Sequence, residues 1–430
     1  MSTMDPAAFV SQYKLFLGFD WAMDDHDVVG VDPAGRIVLD QSVEDSAEGW
    51  ADFREKLVQC AGPDLAKVAV AVETCNGPAV ERLLAMGCQV YPLNPKAAKR
   101  YRERKTVSGA KCDRLDAWSF GDALRTDGHG WRVLAPEDPL TQELRLLCRD
   151  EVGLIEQRTA LVLQLKQALH EYYPTALKAF DKWTCPGAWA FVERFPTPAK
   201  LVAAGKRQWE KFLHAHRLYR AKTYEERLDL FARAQEFCGP PAVTKAKSRL
   251  AVALAGQLKV LERQLVEYRH AIEALFDQHP DRDIFGSLPV GKKTGPRLAA
   301  EIGTIRERFE DAQALQCYGG TAPVTEQSGK SRRVKFRRAC NKHLRATVGF
   351  LADHSRKKCV WAQVYYERKR EEGKSHACAL RCLGQRWLKI LWKMWQTRTP
   401  YDEALHTRNQ TRHGSWVVAL RRTSAQGAPC

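Results

Sequence analysis

LFLGFDWA at residues 15–22, DHDVVGVD at 25–32 and RIVLDQSV at 36–43 alternate apolar and polar positions as strands do, and a DPAG turn at 32–35 joins the second stretch to the third. The three predict a meander. A helix follows over 49–58, then a short apolar strand, KVAVAVE, ending at Glu73, a helix through 81–86, and a last strand, CQVYPLNP, at 88–95.

Strand, strand, strand, helix, strand, helix, strand is the element order of a ribonuclease H-like domain, expected over residues 1–138. From Leu144 the pattern changes to long helix. Leu147, Leu154 and Leu161 stand at heptad spacing, and Leu165 and Leu169 continue the stripe. A second run, Leu254, Leu258, Leu261, Leu265, Tyr268, Ile272 and Leu275, alternates steps of four and three. The two stretches could pair with each other, pair with a second subunit, or pack on the protein's own core. They bound a helical segment at 139–280, with a proline-rich helical insertion at about 173–245. A basic, mostly helical region at 281–405 follows the break at Pro280, and its closing helix carries Trp387, Leu391, Met394 and Trp395 as core. The tail, 406–430, has no clear period and is expected to be mobile. The fold class is therefore α/β plus α.

Four acids in the first region are candidates for chemistry. Asp20 lies at the centre of an otherwise apolar run, where an uncompensated carboxylate is costly and a metal ion would relieve the cost. Glu73 closes a strand. Asp113 and Asp116 are three apart and share one helical face. Hard cations held by such oxygens activate a nucleophile and stabilise a leaving oxygen at phosphorus, and with no His or Cys among the ligands Mg²⁺ or Mn²⁺ suits the set better than zinc. A lone D-x-x-D is most often a solvated pair, so the combination carries the signal. The stretch before it, NPKAAKRYRERKTVSGAK, is rich in Lys and Arg, including Lys105 and Lys111, against the single acid Glu103. It is a candidate for phosphate contacts.

The whole chain of 430 residues holds 68 Lys and Arg against 51 Asp and Glu, a formal charge of +17, which favours a polyanionic partner and salt-sensitive binding. No apolar stretch approaches the roughly 20 residues that span a bilayer, and the first residues lack a basic segment followed by an apolar one, so a cytoplasmic protein without a membrane partner is expected. Thirteen cysteines, scattered with no C-x-x-C pair, indicate neither a disulfide framework nor a zinc ribbon.

In the last third, FGSLPVGKKTG nearly matches a phosphate-binding loop but has Lys293 where Ser or Thr is needed, so no ATP site is expected. With PRLAAEIG it reads instead as a helix-hairpin-helix offering backbone amides, Lys292, Lys293 and Arg297 to phosphates. Ser328, in QSGK, then heads a basic stretch free of acids: Lys330, Arg332, Arg333, Lys335, Arg337, Arg338, Lys342 and Arg345. Taken alone, Ser-Gly is a turn with no general base nearby in sequence.

These blocks together resemble the DEDD transposases (recombinases) of insertion sequence family 110. The resemblance rests on GFDWA, AVET and K-x-D-x-x-D-A in the first part. In the second it rests on LPVGKKTGPRLAAEIG, FEDAQALQCYGGTAP, SGK, NKHLRATV, YYERKREEGKSHACA and Tyr401, and it spans about residues 15–402. Val290 stands where the family's P-G-x-G run has its first glycine, away from the candidate chemistry. The resemblance implies a RuvC-like Mg²⁺ site of Asp20, Glu73, Asp113 and Asp116, with Ser328 as the nucleophile that forms a phosphoserine link to double-stranded DNA. It also implies a structured noncoding guide RNA that selects element ends and target by base pairing, and a homodimer, or a tetramer on DNA, joined through the heptad helices. Two other readings use the same features: a structure-selective endonuclease of the Holliday-junction resolvase type with water as nucleophile, and a nucleic-acid-binding protein without catalysis.

Overall fold

The computed structural model describes residues 5–75, 77–105, 112–219 and 221–417, without the side chains of residues 105, 221 and 222. Lys111 and the Lys105 side chain, both expected at phosphates, lie outside the described residues. The chain divides into two compact units, Met1–Pro136 and Glu137–Cys430.

The first unit runs α1 (Pro6–Gln12), β1 (Leu15–Asp20), β2 (Asp25–Val31), β3 (Ile37–Glu44), α2 (Ala47–Ala61), β4 (Val68–Val72), α3 (Pro78–Ala85), β5 (Gln89–Pro92), α4 (Pro95–Lys105) and α5 (Asp113–Asp127). Its five-stranded sheet has the order β3-β2-β1-β4-β5, with the meander antiparallel and β1, β4 and β5 parallel. The interior strand β4 is the VAVAV run, buried at every residue, as a strand covered on both faces must be. At the edge, β3 buries Leu39 and Val43, half-buries Gln41 on the same face and exposes Asp40 and Ser42, the alternation of a half-solvated strand.

Helix α5 lies directly against β1. A Cβ on Gly18 would stand 1.6 Å from the Ala117 carbonyl oxygen, and one on Gly121 would meet the Gly18 nitrogen at 2.9 Å. Only glycine at both positions lets helix backbone and strand backbone approach this closely. Asp20 is corrected from the strand's centre to its last residue: the chain leaves the sheet at Trp21, which is 49% exposed, so Asp20 is half-buried and its burial cost is smaller than an interior position would impose.

In the second unit two long helices, α6 (Pro139–Tyr172) and α11 (Pro241–Gln278), flank the insertion helices α7 (Pro174–Ala179), α8 (Pro186–Arg194), α9 (Pro198–Ala215) and α10 (Ala221–Ala232). Arg269 meets Glu151 at 3.1 Å, Arg158 meets Glu262 at 2.7 Å and Lys247 meets Glu171 at 2.8 Å, so numbers rise along α6 as they fall along α11 and the pair is antiparallel. Leu144, Leu165, Leu169, Leu254, Leu258, Leu261, Leu265 and Ile272 are buried in this one chain. Two cores are strung along the pair. One joins α6 and α11 to the insertion through Trp189, Phe191 and Phe231. The other joins them to α12 (Arg282–Gly286), α13 (Thr294–Ile302), α14 (Ala312–Tyr318), α15 (Lys342–Ser355), α16 (Val360–Glu371) and α17 (His376–Thr397), with Trp387, Leu391, Met394 and Trp395 inside as expected. An antiparallel hairpin, β6 (Val324–Ser328) and β7 (Ser331–Lys335), and a last helix, α18 (Glu403–Arg412), complete the unit. Among the described residues no helix is long and apolar enough to cross a membrane.

Candidate active site

The sheet and α5 bring the acids together by register. In the parallel β1–β4 pair Phe19 faces Val72, so Glu73, the next residue, leaves the sheet level with Asp20. Asp20 shares its face of β1 with Gly18, the face on which α5 rests. Helix α5 begins at Asp113, and its first turn presents Asp113 and Asp116, where the exposed amides of a helix N-terminus favour negative charge. Carboxylate oxygens of Asp20, Asp113 and Asp116 all lie within 4.8 Å of one another. Glu73 stands outside that group of three, but its charge acts on the Arg102 guanidinium of α4, which also donates to Asp116 Oδ2.

Asp116 is 4% exposed, and its second oxygen, Oδ1, is buried without a hydrogen-bond partner. A buried, orphaned carboxylate oxygen on a residue grouped with two further carboxylates is costly unless a cation completes it. The oxygen-only donor set fits Mg²⁺ or Mn²⁺, and by the same softness argument fits zinc poorly.

Two residues of this site were missed in the sequence. Asp27 is the cross-strand partner of Asp20 in the antiparallel β1–β2 ladder, which puts their Cβ atoms about 5 Å apart on one face. Its carboxyl is pushed above the usual range, first by burial and then by the charges of Asp113, Asp25 and Asp40, with Arg114 acting the other way. The second is Arg102, hidden in a run of similar cations. Only a pairing register for β1 and β2 would have exposed Asp27, and nothing in the one-dimensional pattern separates Arg102 from Arg100 or Arg104.

Ser328 ends β6 at the tip of the hairpin and faces Ser331 across a two-residue turn, Gly329-Lys330, with Gly329 at φ +53. Every residue from Thr325 to Lys335 is exposed. Cross-strand pairing places Ser328, Glu326, Arg333 and Lys335 on one face, where Lys335 pairs with Glu326. No described residue hydrogen-bonds the Ser328 hydroxyl. Lys330, Arg332, Arg333, Arg338 and Lys342 are likewise exposed, while Arg337 donates to the Ala322 carbonyl at 3.1 Å and the Arg345 guanidinium lies 5.0 Å from the Phe336 ring, which Arg381 also approaches at 4.8 Å. The other expected phosphate contacts divide. Lys292 and Lys293 sit in the exposed turn between α12 and α13, with Lys292 paired to Glu273. Arg297 is only 14% exposed and binds the buried Glu151 at 2.7 Å, beside Arg269 and Lys293. Burial alone would raise the Glu151 carboxyl; hydrogen bonds and charge from Arg297, with Arg269 and Lys293, hold it below the usual range.

A mixed sheet whose parallel strands end at converging carboxylates is consistent with a RuvC-like, nucleic-acid-processing domain. Residues 17–174 match a family of DEDD transposases of IS110, and residues 284–367 match the transposases of the IS116/IS110/IS902 family. A mini-circle protein of IS117 from Streptomyces coelicolor, named for a transposase, is 35% identical over 90% of this chain and 95% of its own length. A 43.6 kDa protein of insertion element IS110 from the same organism is 27% identical over 91% and 96%, and the transposase of IS1111A from Coxiella burnetii is 21% identical over 90% of each. The chain belongs to the IS110 family of transposases, enzymes that cut and transfer DNA.

Proposed function

We propose that this protein is an RNA-guided DNA recombinase that excises and inserts its own mobile element by Mg²⁺-dependent strand exchange through a phosphoserine link to DNA. The observation that supports it most is the clustering of carboxylate oxygens of Asp20, Asp113 and Asp116, with one Asp116 oxygen buried and unpartnered, in a chain that also presents Ser328 at an exposed, cationic hairpin tip. A Mg²⁺ or Mn²⁺ ion held by these three residues and Glu73 would supply Lewis-acid stabilisation of the phosphate and its leaving oxygen. The Ser328 oxygen attacks the scissile phosphorus. A P–O bond to serine forms, the P–O3′ bond breaks, and the proton lost by the hydroxyl is balanced by one gained at the 3′ oxygen. One phosphodiester replaces another, so no ATP is consumed. The 3′-hydroxyl then reverses the exchange on a new strand.

In this reading Lys330, Arg332, Arg333, Lys335, Arg337, Arg338, Lys342 and Arg345, with Lys292, Lys293 and the Lys105–Lys111 segment, hold phosphates of DNA and guide RNA. Arg297, spent on Glu151, belongs to the fold instead. Guide RNA and assembly as a homodimer, or a tetramer on DNA, rest on the family resemblance. One observation favours a second reading: with no described residue hydrogen-bonded to Ser328 to act as its base, the carboxylates could direct water, as in a resolvase.

The test is a denaturing gel of wild type and Ser328→Ala with Mg²⁺, labelled element-end and target DNA, and RNA transcribed from the element's flank. Label shifted to protein mass in wild type alone is the expected result. Cleaved DNA with no shifted band in either protein would replace this reading with the resolvase one.

A further inference from the structure

Asp116 is buried with one oxygen unpartnered, yet its other oxygen is already taken by a cation of the chain itself. Arg102 reaches from α4 to donate Nη1 to Asp116 Oδ2, with its own side chain 23% exposed. The Glu73 charge bears on the same guanidinium. Its neighbours on α4 are engaged elsewhere: Lys99 pairs with Glu103 at 3.6 Å, Arg104 pairs with Asp127 at 3.7 Å, and Lys96 and Arg100 line an open cleft of about 490 Å³. Among the described α4 side chains Arg102 is therefore the one that turns to the carboxylates: it contacts Asp116, and a second residue assigned to the metal, Glu73, acts on it through its charge.

A buried carboxylate needs a positive partner in the metal-free protein as much as in the loaded one. A guanidinium and a divalent ion a few ångströms apart repel each other, so both cannot hold Asp116 at full strength. From this we infer that Arg102 is an internal counter-cation of the metal site: it neutralises Asp116 and Glu73 while the site is empty of metal, yields them to the divalent ion, and is then released toward the scissile phosphate. The inference rests on the metal-site reading above and adds to it a positioning residue with two alternative partners, a carboxylate and a phosphodiester. Release on metal loading would couple the arrival of the cation to the arrival of a guanidinium able to grip phosphate in a fork.

Competition has a sign that a purely structural salt bridge lacks. If Arg102 only braced the fold, removing it would weaken metal binding or leave it unchanged; if it competes, removing it tightens metal binding while destabilising the metal-free protein. The experiment is Mn²⁺ titration of the full-length protein, read by the loss of the free-ion paramagnetic resonance signal, together with thermal unfolding in EDTA. It compares wild type, Arg102→Lys, Arg102→Gln and the control Arg100→Gln, which removes the same charge from the same helix. A charge-assisted hydrogen bond lost to competition corresponds to roughly a tenfold change in Kd. Arg102→Gln is expected to bind Mn²⁺ about tenfold tighter and to unfold at lower temperature in EDTA, with Arg102→Lys between it and wild type. Arg100→Gln, whose charge is further off and screened, should stay within about twofold of wild type. Equal or weaker binding by Arg102→Gln, or an equal gain from Arg100→Gln, would overturn the inference while leaving the metal site standing. No Mn²⁺ bound by any of the four would overturn both. Should Arg102→Gln fail to fold, the order of wild type and Arg102→Lys decides alone.

Discussion

At the scale of single residues, the candidate site is a problem of excess negative charge solved in two ways. Asp116 is compensated by Arg102, whereas Asp27, directly across the ladder from Asp20, is raised by burial and by Asp113, Asp25 and Asp40. Like charges opposite one another in a sheet cost a few tenths to 1 kcal/mol. Asp27→Asn should therefore stabilise the metal-free protein by about 0.5 kcal/mol, seen as a higher unfolding midpoint in EDTA, and reduce the further rise that Mg²⁺ produces. A midpoint that falls in EDTA would remove Asp27 from the acidic cluster. The pair at Asp113 and Asp116 was legible because three-residue spacing on a helix puts two side chains on one face whatever surrounds them. Asp27 was not, because an acid in a two-residue alternation is the ordinary solvent-facing residue of a strand until a neighbour's register is known.

Elements were legible where their period is strong. The meander, the VAVAV strand and the two long amphipathic helices stand where the pattern put them, because burial on one face writes a period of two or 3.6 into the residues themselves. The partner of each long helix was not legible. A leucine stripe meets any apolar stripe equally well, and the choice of α6 for α11 is recorded in cross-helix ion pairs separated by 76 to 118 residues in sequence, such as Arg269 with Glu151.

The end of α11 carries a titrating joint of the same kind. His279, 3% exposed, accepts from the Asp281 amide at Nδ1 at 3.0 Å and lies 3.0 Å from Thr141 Oγ1 at Nε2, an arrangement that suits the neutral ring with its proton on Nε2. Burial lowers its pKa, outweighing Asp281, Asp138 and Glu137, which act to raise it. With the folded value below the unfolded one, the unfolded chain binds the extra proton first. This contribution is complete above the unfolded value of about 6.5 and is lost as pH falls toward the folded value. The urea midpoint of the second unit should fall as pH drops below about 6.5, and His279→Gln should flatten that part of the profile. A wild-type midpoint that is constant over this range would show that His279 is not held neutral.

Across the whole molecule, the charge of +17 concentrates usefully where it is not already paired. The hairpin beyond Ser328 is exposed along both strands and carries Arg332 and Arg333 in the open. If the hairpin lies on duplex, each phosphate it neutralises adds about 0.9 to the slope of log K against log salt. Replacing Arg332, Arg333 and Lys335 by Gln should lower that slope by about two to three, measured by fluorescence anisotropy on element-end DNA between low and moderate salt. An unchanged slope would mean that the hairpin stands off the DNA. Arg297, equally prominent as a cation in the sequence, should contribute little to this slope, since it is largely buried against Glu151.

The sequence by itself determined the element order of the first unit, the amphipathic helices of the second and the identity of most acids that could hold a metal, because spacing, period and composition are local properties that survive in any fold containing them. Tertiary structure alone decided which carboxylates meet, that Asp116 rather than Asp20 carries the buried orphan oxygen, that Arg102 answers it, and that Arg297 is spent on Glu151 while the cations beyond Ser328 stay exposed. Those outcomes depend on strand register, on the glycine contact between β1 and α5, and on ion pairs between residues distant in sequence, and none of these leaves a periodic trace along the chain.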